Sequence, residues 1–138
     1  MICVTDASVA LSWVYSEEHS AVSNALLARV SQQGAVVPFL WRLEVANSLQ
    51  TGIRRKRIDA AYRDSSIQVF LRLPIEIDFE TNDYAWTTIL KLADVYQLTV
   101  YDASYLELAL RRALPLATRD EDLAAAASRA GVVLLPTR

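Results

Sequence analysis

The regular alternation of short β-prone runs with longer helical patterns most constrains what this chain can fold into. Apolar runs rich in β-branched residues occur at residues 2–5, 35–38, 75–78, 116–118 and 132–135. The apolar spacing elsewhere predicts seven helices, at residues 8–14, 18–32, 40–55, 59–72, 80–96, 102–112 and 120–130. Parallel strands need long crossovers, which are usually helical, so this alternation indicates a parallel sheet covered on both faces. We therefore expect a three-layer α/β domain.

The composition is that of one globular domain. The 138 residues are 53% hydrophobic and 22% charged, with only three glycines and four prolines. A chain of this length buries roughly two thirds of its unfolded surface in a single core. No apolar run approaches the ~18 residues of a membrane span, and no signal-peptide pattern opens the sequence. We therefore expect a single domain over residues 1–138, located in the cytoplasm and away from membranes.

Charge and cysteine content narrow the classes of function. The formal net charge is −2, so the chain lacks the overall basic character of a nonspecific nucleic-acid binder. Its strongest local charge is a basic cluster formed by Arg54, Arg55, Lys56 and Arg57. This cluster suits either a solvated helix end or contacts to RNA phosphates. The one cysteine, Cys3, lies in an apolar run. A single cysteine excludes an intrachain disulfide and a cysteine-based zinc site.

Aspartates follow predicted strands at two places and open a helix at a third. Asp6 comes directly after the first strand, and Asp120 comes just after the fourth. Asp102 lies in "VYDAS", which repeats the design of "VTDAS" around Asp6. Asp102 taken alone is a helix N-cap. Because the carboxyl ends of parallel strands meet at one edge of the sheet, where ligands bind, we expect these carboxylates to approach one another.

A fourth acid, Glu44, begins a polar stripe on the helix after the second strand. Glu44, Asn47 and Thr51 fall on one face of that helix, away from its apolar residues. Several converging carboxylates without histidine or cysteine form an all-oxygen site, which suits Mg²⁺ or Mn²⁺ rather than Zn²⁺. Such a site favours phosphate chemistry. Thr118, followed three residues later by Glu121, also fits a capping box at the start of the last helix.

Four segments in the same order and spacing as in a known family carry a resemblance across nearly the whole chain. They are "VTDASVAL", "LEVANSL", "LTVYDASYLELAL" and "LPLATRDEDLAAAA". The chain resembles the PIN-domain ribonucleases, and more closely the VapC-type toxins of toxin–antitoxin pairs. The resemblance implies a five-stranded parallel sheet in the order 3-2-1-4-5 with about seven helices. It also implies a Mg²⁺- or Mn²⁺-dependent endoribonuclease that hydrolyses RNA with a metal-activated water, forms a homodimer, and is inhibited by a cognate VapB-like antitoxin.

The same resemblance assigns roles to individual residues. The implied catalytic set, hereafter the acidic quartet, comprises Asp6, Glu44, Asp102 and Asp120. Its three aspartates would hold the metal, and Glu44 would either ligate through water or orient the nucleophile. Asp122 is an alternative or supporting ligand. Ser8 and Thr118 stand where the family often has a hydroxyl that holds a carboxylate or a water, although helix capping suits both equally well.

Three other interpretations remain open from the sequence. A phosphoacceptor or haloacid-dehalogenase-like domain also gathers aspartates at strand ends, but needs a second acid next to Asp6, where Ala7 and Ser8 stand instead. A non-enzymatic interaction module would use the acids only as caps and surface charges. A housekeeping RNA-processing PIN nuclease shares the proposed chemistry. For an antitoxin, the apolar segments 13–15 and 26–27 are candidates for a docking groove.

Overall fold

The sheet at the centre of the fold has four parallel strands, and the computed structural model describes all residues 1–138. The strands are β1 (Val4–Thr5), β2 (Ala35–Pro38), β3 (Ile75–Asp78) and β4 (Leu116–Ala117). Their order is β3-β2-β1-β4. Cα partners are Val4 with Val36 between β1 and β2, and Val4 with Leu116 between β1 and β4. β1 is therefore central, and the chain segments that follow β2, β1 and β4 emerge side by side.

Seven α-helices surround this sheet, as the sequence predicted. They are α1 (Ala7–Ser12), α2 (Ala21–Gln33), α3 (Trp41–Arg54), α4 (Ala60–Leu71), α5 (Thr88–Tyr96), α6 (Val100–Arg112) and α7 (Glu121–Arg129). Two 3₁₀ turns, Ser16–Glu18 and Thr81–Tyr84, precede α2 and α5. None of the helices combines the length and the apolar character needed to cross a membrane.

The core lies where the sheet meets α6. Residues 103–109 of α6 are all buried, which is unusual for a helix with a polar outer face and shows that protein covers α6 on several sides. α6 packs against β1, β2 and β4 on one side and against α5 and α7 on others. The apolar side chains of β1, β2 and β4 are almost fully buried. This central position fixes the first turn of α6, including Asp102, at the edge where the strands end.

The expected fifth strand is wrong, because the structure has four. Residues 132–135 lie beside β4, where a fifth strand would stand, but form only a single parallel bridge between Leu134 and Leu116. The Leu116 N–H donates to the carbonyl of Val133 at 2.9 Å, and the Leu135 N–H donates to the carbonyl of Leu116 at 3.0 Å. β4 is only two residues long, and Pro136 has no N–H with which to extend the ladder.

One predicted helix is also divided. The apolar pattern over residues 80–96 indicated one helix, but the structure has the 3₁₀ turn Thr81–Tyr84 and then α5 from Thr88. The Thr81 hydroxyl donates to Asp78 Oδ2 at 2.7 Å, which fixes a tight turn directly after β3. A side-chain bond back to the preceding strand competes with helix continuation here.

Candidate active site

Asp6 lies at the centre of the carboxyl edge, immediately after β1. It caps α1, and its Oδ1 accepts hydrogen bonds from the Val9 N–H at 3.2 Å and from the Ser8 hydroxyl at 2.6 Å. Its Oδ2 accepts a short hydrogen bond from the Thr118 hydroxyl. Burial raises the pKa of Asp6, the three hydrogen bonds oppose this rise, and the charge of Asp120 adds to it. Asp6 is therefore a fixed, buried carboxylate beside a second acid.

Asp120 is the N-cap of α7, so the predicted capping box of Thr118 and Glu121 is wrong. Asp120 Oδ1 accepts from the Leu123 N–H at 2.8 Å. The Thr118 hydroxyl donates to Asp6 instead and accepts the Asp120 N–H at 3.0 Å. Thr118 thus joins the two acids through one oxygen, as the resemblance implied for a supporting hydroxyl.

Ser8 has a matching role on the other side of Asp6. Its hydroxyl donates to Asp6 and accepts the Arg119 N–H at 2.9 Å. Ser8 stands inside α1 rather than at its N-cap, so the capping alternative is wrong for Ser8 as well. The Ser8 and Thr118 hydroxyls therefore tie the end of β1 to the segment after β4 and fix the orientation of the Asp6 carboxylate.

Asp102 faces the rest of the acidic quartet from the first turn of α6. The N-cap of α6 is Thr99, whose hydroxyl accepts the Asp102 N–H at 3.1 Å, so the N-cap interpretation of Asp102 is wrong. Burial and the negative charges of the other three acids raise the pKa of Asp102 to about 6. All three neighbours therefore lie within electrostatic reach of one half-buried carboxylate.

Glu44 lies in the first turn of α3 and is held by a residue that sequence reasoning missed. The hydroxyl of Tyr105 on α6 donates a short hydrogen bond to Glu44 Oε1. Burial and the charge of Asp6 raise the pKa of Glu44, and the bond from Tyr105 opposes the rise. Tyr105 is 1% exposed, and Asp102 lies three residues before it on the same helix face. That spacing was the only signal for Tyr105 in the sequence.

The remaining predicted site residues stand apart from the quartet. Asp122 is exposed in the first turn of α7 and makes no side-chain hydrogen bond or ion pair with the four acids. In the basic cluster, Arg57 is paired with Glu17 and Glu18, whereas residues 54–56 are exposed and form no ion pair. Three cations without an acidic partner therefore remain at the end of α3, one of which, Arg54, donates to the Thr51 hydroxyl at 3.1 Å.

The family assignment follows from a sequence match over most of the chain. The sequence matches the family described as "PIN domain" over residues 3–129. The chain belongs to the PIN domain family. PIN domains are generally nucleases that act on RNA and use divalent metals. No curated protein matches this sequence.

Solved structures support the same fold for this PIN domain. Six solved chains match it. One of them is the crystal structure of PAE2754 from Pyrobaculum aerophilum, with a TM-score of 0.72 and 23% sequence identity. The match covers 98% of this chain and 84% of that one. At this identity the likeness shows a common fold alone.

The donor set of this PIN domain suits a hard divalent cation. The acidic quartet offers only carboxylate oxygens, which Mg²⁺ and Mn²⁺ prefer. No group of three or more His, Cys, Asp or Glu side chains has the spacing of a ready-made metal cluster. Mg²⁺ keeps several of its waters and binds through one or two carboxylates, so these residues fit a hydrated ion.

Proposed function

We propose that this PIN domain is a Mg²⁺- or Mn²⁺-dependent endoribonuclease and the toxin of a type II toxin–antitoxin pair. It would act in the cytoplasm as a homodimer and be inhibited by a VapB-like antitoxin. One observation carries the proposal: the four acids come from different elements at one sheet edge, where the Thr118 hydroxyl links Asp6 to Asp120. The charges of Asp6, Glu44 and Asp120 raise the pKa of Asp102 at the same edge. Repelling carboxylates of this kind are stabilised by a shared cation.

The aspartates would hold the cation, and the hydroxyls would orient them. Asp6 and Asp120 are linked through Thr118, and Asp102 faces both from α6. When bound, Mg²⁺ or Mn²⁺ supplies polarisation of the phosphoryl oxygen, a lower pKa for water and charge stabilisation at the leaving oxygen. The hydrogen bonds to Asp6 fix its carboxylate before substrate arrives, so its orientation need not change on binding.

Glu44 is the proposed proton acceptor for the attacking water. Tyr105 occupies Glu44 Oε1, which leaves Oε2 free to accept a hydrogen bond from water at the sheet edge. Because burial and Asp6 raise the pKa of Glu44, its carboxylate is a stronger base than a solvated glutamate. If Glu44→Gln retained the full cleavage rate, this role would be wrong.

Exposed apolar side chains beside the acids support the homodimer. Leu43 precedes Glu44, Tyr101 precedes Asp102, and Phe79 follows β3, and each is at least 65% exposed. Large exposed apolar side chains mark protein interfaces when they group together. A second copy of the chain is the proposed occupant.

The expected antitoxin groove is only partly supported. Residues 13–15 are almost fully buried, and Tyr15 alone among them lines an open groove, so this segment gives the expectation little support. Beside α2, however, a groove of about 330 Å³ is lined mainly by apolar residues, including Val22, Ala25 and Leu135. Apolar grooves of this kind accept amphipathic segments. This groove is the proposed antitoxin contact.

Cleavage of total cellular RNA tests the nuclease. The purified protein, freed of any copurifying partner, is incubated with RNA in Mg²⁺, in Mn²⁺ and in EDTA, beside the variants Asp6→Asn and Asp94→Asn. Asp94 is exposed on α5 and serves as the matched control. We expect metal-dependent cleavage by the wild type and Asp94→Asn, and none by Asp6→Asn. Equal cleavage by all three proteins would show that the acids are not the catalytic centre.

Induced expression separates a toxin from a housekeeping nuclease. A toxin arrests growth soon after induction, and the arrest disappears with Asp6→Asn at equal protein level. Growth that continues unchanged while the purified wild type still cuts RNA would favour RNA processing over toxicity.

A further inference from the structure

A polar groove lies between α1 and α3, and its lining on α3 begins at Ser48, one helical turn beyond Glu44. We name it the α1–α3 groove; its volume is about 250 Å³, and its polar lining includes Ser48, Thr51 and Arg55. No carboxylate lines it. The groove thus presents hydroxyl and cationic groups but no acid, which favours an anionic ligand.

Helix geometry connects the groove to Glu44. Glu44, Ser48, Thr51 and Arg55 are spaced four, three and four residues apart, which places them on one face of α3. At about 1.5 Å per residue, Arg55 lies about 16 Å along the helix axis from Glu44. A strand of nucleic acid that follows this face of α3 toward Glu44 would therefore pass the two hydroxyls first.

The floor of the groove depends on a glycine. A Cβ at Gly52 would lie 2.4 Å from the Tyr15 hydroxyl, so only glycine permits this close approach of α3 to the segment after α1. The Arg57 guanidinium covers the Tyr15 ring at 3.8 Å and is neutralised by Glu17 and Glu18. Arg57 is a fixed wall, whereas Arg55 is exposed and forms no ion pair.

We propose that the α1–α3 groove binds the phosphodiester backbone of single-stranded RNA on one side of the cleaved bond. Arg55 contacts a phosphate, and the Ser48 and Thr51 hydroxyls donate to phosphate or ribose oxygens. This inference rests on the proposed ribonuclease function and adds a direction to it: the RNA runs along α3 toward its C-terminus. The residues do not read base edges, so the groove contributes affinity rather than sequence choice.

Salt-dependent binding tests the groove. The probe is a fluorescein-labelled oligouridylate of about 16 nucleotides, bound in EDTA so that cleavage does not occur. Fluorescence anisotropy gives Kd across a series of salt concentrations for the wild type, Arg55→Ala and Arg72→Ala. Arg72 is exposed at the end of α4 and also lacks an ion pair, so it is the matched control.

We expect Arg55→Ala to weaken binding several-fold and to reduce the slope of log Kd against log salt by about 0.7, the value for one phosphate contact to a single strand. Arg72→Ala should leave the slope unchanged. If the two variants behave alike while the wild type binds and cuts RNA, the groove is wrong and the ribonuclease stands. If the wild type neither binds nor cuts any RNA, both proposals fail.

A cross-linking readout gives the same answer without relying on affinity. The single natural cysteine, Cys3, is fully buried, so a cysteine introduced by Ser48→Cys takes a thiol-reactive photo-crosslinker selectively. The control is Ser128→Cys, an exposed position at the far end of α7. We expect the oligouridylate to cross-link through position 48 and not through position 128. Cross-linking of equal yield at both positions would overturn the inference.

Discussion

Asp102 is the residue at which the charges of the site meet. Burial and its three acidic neighbours raise the pKa of Asp102 to about 6. The folded protein therefore binds this proton more tightly than the unfolded chain does. Protonation of Asp102 stabilises the folded state fully below its unfolded-state pKa of about 4, and this stabilisation is lost as the pH rises through about 6. Near neutral pH without metal, ionised Asp102 therefore destabilises the fold.

Asp102→Asn removes this penalty. We expect the free energy of unfolding at about pH 7.5 in EDTA to increase by about 1 kcal/mol, since Asp102 is half exposed and solvent screens part of the repulsion. Below about pH 4 the wild type is protonated and the gain should vanish. Urea denaturation at both pH values measures it. A gain of equal size at both values would mean that charge repulsion is not its cause.

Tyr105→Phe tests whether Tyr105 positions Glu44. The variant loses one buried hydroxyl and frees Glu44 Oε1. We expect the RNA cleavage rate to fall about ten- to hundredfold, because a hydrogen bond to a charged group is worth about 1.5–3 kcal/mol. The control is Tyr62→Phe, which removes a hydroxyl that donates to the Val14 carbonyl, away from the acids. The positioning role is wrong if the control slows cleavage as much.

The sequence indicated the acids, and the family resemblance indicated Ser8 and Thr118 as supporting hydroxyls, but neither indicated Tyr105. Asp6 and Asp120 follow strands of a parallel sheet, and that rule alone places them at one edge. Tyr105 lies in an apolar helix, where a tyrosine resembles any core side chain. Thr118 fits a capping box in sequence, but in the structure its hydroxyl donates to Asp6. That hydrogen bond depends on the pairing of β1 with β4, a long-range contact that a local sequence pattern does not show.

Among the elements, α1 and α3 depend on one glycine for their contact. Gly52→Ala places a methyl group 2.4 Å from the hydroxyl of the buried Tyr15. We expect a loss of about 2 kcal/mol in the free energy of unfolding, since overpacking outweighs the better helix propensity of alanine. The double variant with Tyr15→Phe removes the obstructing hydroxyl and should recover part of the loss. Chemical denaturation of the two single variants and the double variant checks this, and additive losses would contradict the steric account.

α6 is fastened to the end of β3 by a buried ion network. Arg111 donates to Asp78 at 2.7 Å and to Glu107 at 2.7 Å, and both carboxylates are almost fully buried. Burial raises the pKa of Asp78, but the Arg111 hydrogen bonds and charge outweigh it and hold that pKa below its ordinary value. The network keeps α6, and therefore Asp102, in a fixed position relative to the sheet.

Arg111→Met leaves buried Glu107 without a cation and leaves buried Asp78 with only the longer contact to Arg112, at 3.9 Å. We expect a loss of about 3 kcal/mol in the free energy of unfolding at neutral pH, the usual cost of breaking a buried pair. Arg63→Ala on α4 is the control, because its ion pair with exposed Asp64 lies outside the network and is worth less than about 1 kcal/mol. Thermal or urea unfolding distinguishes them. Equal small losses would show that the network does not hold α6.

Element boundaries were predictable where local chemistry decides them. The helical patterns over 40–55 and 59–72 match α3 and α4 to within one residue at each end. The pattern over 80–96 failed because Thr81 bonds back to Asp78, and the run at 132–135 failed as a strand because β4 offers it only two residues. In both cases a tertiary partner outweighed the apolar periodicity.

At the scale of the whole molecule, strand order explains why one site collects acids from distant parts of the sequence. With the order β3-β2-β1-β4, the segments after β2, β1 and β4 are neighbours, and they carry Glu44, Asp6 and Asp120. α6 adds Asp102 because its buried position against the sheet fixes its first turn at the same edge. The fold thus brings the four acids to one edge of the sheet, and their mutual repulsion is the reason for proposing a cation there.

Calorimetric titration of Mn²⁺ into the metal-free protein tests the central claim, which is that the four acids together form one cation-binding site. The proteins are the wild type, Asp6→Asn, Asp102→Asn and the control Asp94→Asn. We predict that the wild type and the control bind Mn²⁺ equally, and that each quartet variant binds it weaker by on the order of tenfold or more. Equal affinity in all four proteins, or no binding by the wild type, would contradict the account and leave the acids as helix caps and surface charges.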